Sequence, residues 1–210
     1  MTSIRDAILV PGVWVPGLVM LPLARRLARE GIRCHCFGYG GRGRPLAANA
    51  DELARFARSV GPAHFVGHSL GGLVILHALN SHPELGVGNV VLLGTPACGS
   101  FSGRRLARHG IGRWMLGETQ PLWQDNEVMR WKRQERLGVV AGTLPMGLGR
   151  ALGPLPGPND GVVCVGETAV QGMSGHLTLR VGHSAMLVSR RVASQTAAFL
   201  REGRFRDEAR

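Results

Sequence analysis

The sequence predicts an α/β fold, with a mostly parallel central sheet covered by helices on both faces. Three observations carry that prediction. Apolar strand-like runs alternate with helix-period segments from residue 7 onward. One of those runs, HFV, passes through GHS into the helical LGGLVILHAL without a spacer. Finally, the tetrapeptide Val-Gly-His-Ser follows two different strand signals, at Val66–Ser69 and again at Val181–Ser184.

Ala7–Val10 reads as the first strand. After the loop Pro11–Gly17, residues Leu21, Ala24, Leu27 and Ala28 recur at helical spacing, and Gly31 stands where that helix ends. Ile32–Phe37 is a second strand and GYGGRGRP (38–45) a loop. Leu53, Phe56, Ala57 and Val60 mark the apolar face of a second helix. Ala63–Val66 is the third strand, Leu70–Asn80 a helix that is apolar nearly all round, and Asn89–Leu93 the fourth strand.

Residues 97–136 interrupt this rhythm. They carry Trp114, Trp123, Trp131, Met115 and Met129 among many arginines, with no strand signal, and read as a helical, lid-like insertion. Leu137–Ala141 resumes the sheet, Gly161–Val165 carries a short strand signal, and His176–Val181 is another strand. Ala185–Leu200 closes the chain as a helix. The whole fits a single domain over 1–210, because parallel neighbours require crossovers and helices on both sheet faces.

Composition narrows the function classes. The net charge of +11 is nearly all arginine, spread along the chain with few aromatics between. No helix-turn-helix, zinc-finger or RNA-binding signature accompanies it, so nucleic acid is not expected as a partner. An anionic membrane surface or an acidic carrier protein fits that charge. The uncharged run Ala7–Ala24 is long enough to span a bilayer, but Pro11, Pro16 and Pro22 break it. The opening MTSIRDA has no basic region leading into an apolar one, so no secretory signal is expected. Cys34, Cys36, Cys98 and Cys164 are scattered, form no Cys-x-x-Cys pair and read as inert buried thiols. A cytoplasmic protein, at most peripheral to a membrane, is the expectation. Neither a metal nor an organic cofactor is called for.

The first Val-Gly-His-Ser continues as GHSLG, matching Gly-x-Ser-x-Gly where a strand turns directly into a helix. So tight a turn lifts Ser69 Oγ clear of the sheet, above a helix N-terminus that favours developing negative charge. Together with the N-terminal loop VPGVW and the late acid and histidine described next, this resembles the α/β-hydrolase superfamily, and within it the small bacterial lipases and esterases. The likeness runs over essentially the whole chain except 97–136.

The resemblance implies a nucleophile, acid and histidine in that chain order. His183 follows the apolar strand LTLRV and precedes the last helix, at the carboxyl edge of the sheet. His176 stands at the opposite end of the same strand, and His77 and His82 belong to the helix after Ser69 and its exit. Ser184 lacks the glycine two residues on, where Met186 stands, and His68 reads as a packing residue. For the acid, Asp160 in GPNDGVV is the first choice and Glu167 the reserve. An oxyanion needs two backbone N–H donors. Leu70, at the helix start, supplies one, and the resemblance implies Val13 for the other. Many relatives have His-Gly where this chain has Pro11-Gly12, which leaves the second donor open by a residue. Trp14 and Trp123 are assigned to the substrate.

The implied activity is cleavage of a carboxylic ester, from a small acyl ester or lipid, through an acyl-serine. An acyl thioesterase, a lipid deacylase or an acyltransferase would use the same three residues. A non-catalytic hydrolase-like protein that binds lipid or a partner is the alternative of another class, and oligomeric state is not legible. Leu122, Trp123, Val128, Met129 and Trp131 form a loose apolar stripe, fitting either a lid over an acyl chain or a permanently packed satellite. If Trp123 shelters an acyl chain, Trp123→Ala should reduce kcat/KM for long-chain esters about tenfold more than for acetate esters, the scale of one large apolar contact. Equal losses on the two substrate sets would exclude that role.

Overall fold

Every strand pairs in parallel in the computed structural model, which describes residues 4–12, 15–39, 44–98, 129–146 and 155–207. Among the described residues these are β1 (Asp6–Val10), β2 (Arg33–Cys36), β3 (Ala63–His68), β4 (Val87–Leu93), β5 (Leu137–Gly142) and β6 (Gly175–Leu179). They form one sheet in the order β2-β1-β3-β4-β5-β6. The helices are α1 (Leu21–Arg29), α2 (Leu46–Val60), α3 (Leu70–Ser81) and α4 (Arg190–Glu202). The chain steps outward from β1 to β2, then returns to place β3 on β1's other side. Order reverses there, which opens a crevice beyond the carboxyl ends of β1 and β3.

Alternation along the strands sorts the interior into two cores. Ile8, Val10, Phe65, Val90, Leu92 and Val139 face α2 and α3. Ala7, Leu9, Val66, Val91, Leu93 and Val140 face α1 and α4. Because the sheet is covered on both sides, α3 is buried on almost every face, as its unbroken apolar composition requires. No described helix is long and apolar enough to cross a membrane.

Three expectations are corrected. Gly161–Val165 is not a strand: Asn159 and Cys164 make an isolated bridge, and a 3-10 turn spans Val165–Thr168. The Val162 and Val163 amides that a ladder would use bond the Asp160 carboxylate instead. The closing helix does not run from Ala185, since Ser184–Leu187 is a 3-10 turn and Ser189 caps α4 by accepting from Val192 N at 3.3 Å. The interruption is also shorter at its end than 97–136. Trp131 is buried in the core with Nε1 donating to Glu135 O at 2.7 Å, and Met129 packs beside it. Both therefore leave the proposed stripe. Met129 N donates to Ala97 O at 2.9 Å, so the described residues on either side of 99–128 lie next to each other. Residues 99–128, Leu122, Trp123 and Val128 among them, lie outside the described residues. Of the cysteines, only Cys164 is fully buried; burial pushes the half-buried Cys34 thiol up to about 12, in keeping with inert thiols.

The tightest packing is where α3 leaves β3. A Cβ on Gly71 would lie 2.3 Å from both Val10 O and Pro11 O, and one on Gly67 2.6 Å from Gly72 Cα. Backbone cannot yield there as a side chain would. Gly71→Ala should therefore lower stability by about 1–3 kcal/mol or more, measured by urea unfolding. Gly166→Ala, whose Cβ would meet nothing within 4 Å, serves as the neutral control.

Candidate active site

Ser69 is the only non-glycine among the described residues with positive φ, at φ 55 and ψ −129. It sits between the last residue of β3 and the first of α3. Ser69 N donates to Leu93 O at 2.9 Å, and Thr95 Oγ1 donates to Ser69 O at 3.0 Å. The strained turn is thus clamped from β4 and its exit loop. Leu70 opens α3, so its N–H has no carbonyl one turn earlier to bond and is free to face an anion.

Asp160 and His183 meet on the neighbouring loops. Asp160 is 1% exposed, and its Oδ2 lies 2.7 Å from His183 Nδ1. A carboxylate only accepts, so Nδ1 carries the hydrogen and Nε2 is left as the basic nitrogen. Asp160 Oδ1 accepts from Val162 N and Val163 N at 2.9 and 2.7 Å. The same residue therefore turns its own loop and holds the imidazole. A main-chain bond from His183 N to Asp160 O, at 2.9 Å, ties the two loops a second time. The reserve acid, Glu167, is engaged elsewhere: its Oε2 accepts from Cys164 N at 2.7 Å as a turn cap.

His68, expected only to pack, makes a specific contact instead. Its Nε2 lies 3.1 Å from His183 O, and the two rings stand 4.8 Å apart. The carbonyl only accepts, so His68 donates from Nε2. Burial, and then the His183 ring, lower its pKa to about 3, which keeps it neutral. The histidines of the two Val-Gly-His-Ser segments thus touch, although 115 residues separate them. Tyr39 was also missed; its hydroxyl donates to Pro11 O at 2.8 Å and secures the loop after β1. That it is the only tyrosine of the chain was the one available signal.

The other sequence candidates fall away from this edge. His176 bonds Thr168 Oγ1 at 2.8 Å at the start of β6, the opposite end of the sheet. His82 pairs with Asp51 and Glu84 beyond α3. Ser184 is exposed at the start of a 3-10 turn. Val13, Trp14 and Trp123 lie outside the described residues. Val15 and Gly12 nevertheless place the preceding loop beside Ser69, since a Cβ on Gly12 would lie 3.7 Å from Ser69 Cβ.

A serine on such a turn, with an acid–histidine pair at the same edge of a parallel sheet, is the arrangement of the α/β hydrolases. The chain belongs to that family: the model described as the alpha/beta hydrolase family matches residues 7–195. Its fold is similar to that of the mature form of the Bacillus licheniformis lipase BlEst2, at 17% identity over 95% of this chain and 91% of that one, with a TM-score of 0.74. The metagenomic carboxyl esterase MGS0156 is similar at 18% identity, covering 92% and 74% of the two chains, TM-score 0.69. The pyrethroid hydrolase PytH is similar at 16% identity, covering 93% and 97%, TM-score 0.62. At such identities the likeness is one of fold. No curated protein matches the chain.

The His68 environment sets a pH dependence. Its folded pKa of about 3 lies below the ordinary 6.5, so below 6.5 the unfolded chain takes up a proton that the native one refuses. This residue's share of stability is intact above that pH and lost as pH falls toward 3. Between pH 7 and 5 the loss is about 2 kcal/mol. His68→Gln, which keeps a donor but does not titrate, should flatten the pH dependence of the unfolding free energy by that amount. An unchanged slope would refute the assignment.

Proposed function

We propose that the protein hydrolyses carboxylic esters through an acyl-serine intermediate formed on Ser69. One observation carries the reading: among the described residues the single non-glycine with positive φ is a serine, at the sheet edge where a buried carboxylate holds a histidine. In this reading Ser69 Oγ attacks the ester carbonyl carbon while His183 Nε2 takes its proton. Asp160 keeps Nδ1 protonated and stabilises the imidazolium that forms. The Leu70 N–H, with Val13 N–H from the loop after β1, receives the negative charge on the carbonyl oxygen. His183 then returns the proton to the departing alkoxide, leaving an acyl-enzyme and a free alcohol. Water repeats the sequence on the acyl-enzyme, with His183 again the base, and releases the acid.

His68 supports this chemistry through His183. Its bond to the His183 carbonyl holds the backbone from which the base projects, and its neutrality avoids a second positive charge beside the imidazolium. Residues 99–128, within the insertion expected over 97–136, are the segment we assign as a lid over the acyl group. Trp14 and Trp123 are the aromatic contacts proposed for the substrate.

Ser69→Ala should lower kcat on a p-nitrophenyl ester by about 10⁶, and Asp160→Asn by about 10⁴, with folding retained. A fluorophosphonate probe should label the wild type and not the serine variant. Near-normal turnover by Ser69→Ala, or no labelling of active wild type, would overturn the assignment.

A further inference from the structure

The described residues expose four large apolar side chains, Val15, Leu18, Met146 and Val188. All four lie on loops at the carboxyl edge of the sheet, the edge that holds Ser69 and His183. Val15 adjoins the Ser69 turn, because a Cβ on Gly12 would meet Ser69 Cβ at 3.7 Å and Val15 Cγ2 at 3.9 Å. Leu18 is 71% exposed in the 3-10 turn that leads into α1. Met146 lies against the acid loop, a Cβ on Gly161 falling 2.5 Å from Met146 O. Val188 follows the His183 turn and directly precedes the α4 cap. Scattered single apolar residues are ordinary on a protein surface. Confinement of the whole set to one edge is not.

Charge is biased toward one face of the sheet, the face that α1 and α4 cover. Neither Gly17–Arg29 nor Ser184–Arg201 contains an acidic residue, and together they place Arg25, Arg26, Arg29, Arg190 and Arg191 on α1 and α4. The two helices share one core on the same sheet face. Between them a cleft of about 280 Å³ is lined by Arg26, Arg29, Glu30, Arg190, Ala193 and Ser194. Its one carboxylate, Glu30, is already held by Arg201 at 2.6 Å. Arg26 Nε has no hydrogen-bond partner among the described residues. On the α2 and α3 side, Arg44 pairs with Glu52 and Arg58 with Glu84.

From these two patterns we infer that the protein docks on a membrane leaflet bearing anionic phospholipid, with the Ser69 edge turned toward the lipid. The apolar side chains enter the acyl boundary while the α1–α4 cleft receives a headgroup phosphate. A lipid surface fits better than an acidic carrier protein. The apolar residues come from separate loops around the site rather than lining one groove, and a fluid layer accommodates a ring of single side chains where a folded partner needs a matching surface. The inference rests on the ester-hydrolase reading only for the use made of that edge; binding itself is independent of turnover.

The test is co-sedimentation of the full chain with phosphatidylcholine vesicles, with and without phosphatidylglycerol, at low and high salt. We expect binding that requires phosphatidylglycerol and weakens with salt. Arg26→Gln and Arg190→Gln should each weaken partitioning about fivefold, and Leu18→Ser about tenfold. Arg55→Gln, exposed on α2, should leave it unchanged. All four variants should turn over a soluble ester normally. Equal loss with Arg55→Gln, no effect of Leu18→Ser, or capture by an acidic carrier protein without vesicle binding would each overturn the inference. A chain that binds vesicles but hydrolyses no ester would instead defeat the functional reading and leave docking intact.

Discussion

The close approach of α3 to the carboxyl ends of β1 and β3 is the constraint on which the rest of the site depends. Gly67 and Gly71 let backbone meet backbone at distances no side chain would permit. That contact forces the chain to reverse within one residue, and the residue that reverses is Ser69, at φ 55. Such a conformation is unfavourable for serine, and it persists because the Ser69 N–H donates to Leu93 O while Thr95 Oγ1 donates to Ser69 O, holding both sides of the turn. The same reversal leaves the Leu70 N–H, at the start of α3, without an intrahelical partner.

Asp160 and His183 are brought together by a different device. Asp160 uses one oxygen to close its own turn and the other to hold His183, while its carbonyl accepts the His183 amide. The four bonds that this buried residue accepts hold its own loop, the His183 backbone and the imidazole in one arrangement. His68 then couples this assembly to the Ser69 turn, for it is chain neighbour to Ser69 and hydrogen-bond partner to His183. Loops that lie 115 residues apart are thereby tied together by a buried hydrogen bond. Comparison with other proteins assigns the family and places lipases and esterases among chains of similar fold.

Much of this was legible in the residues. The strands, the helices between them, the serine turn and the acid and histidine of the late loops follow from periodicity, glycine spacing and position relative to the strands. Two kinds of feature were not legible. Gly161–Val165 has the composition of a strand, but its amides bond a carboxylate three or fewer residues away, and a side-chain competitor of that kind leaves no trace in hydrophobic patterning. Trp131 and Met129 look amphipathic in sequence, yet both pack on the core, because a spacing argument cannot tell which surface an aromatic will meet.

The sequence by itself determined the fold class and the location of the strained serine turn, since local sterics and alternating burial act over a few neighbouring residues. It also determined that the charge is strongly positive. Only the tertiary structure decided that the two Val-Gly-His-Ser segments touch through their histidines, that Asp160 rather than Glu167 holds His183, and that the exposed apolar residues gather at one edge. Each of those facts depends on the order in which the strands pair. Strand order is set by long-range packing of the two cores, which no local run of residues contains.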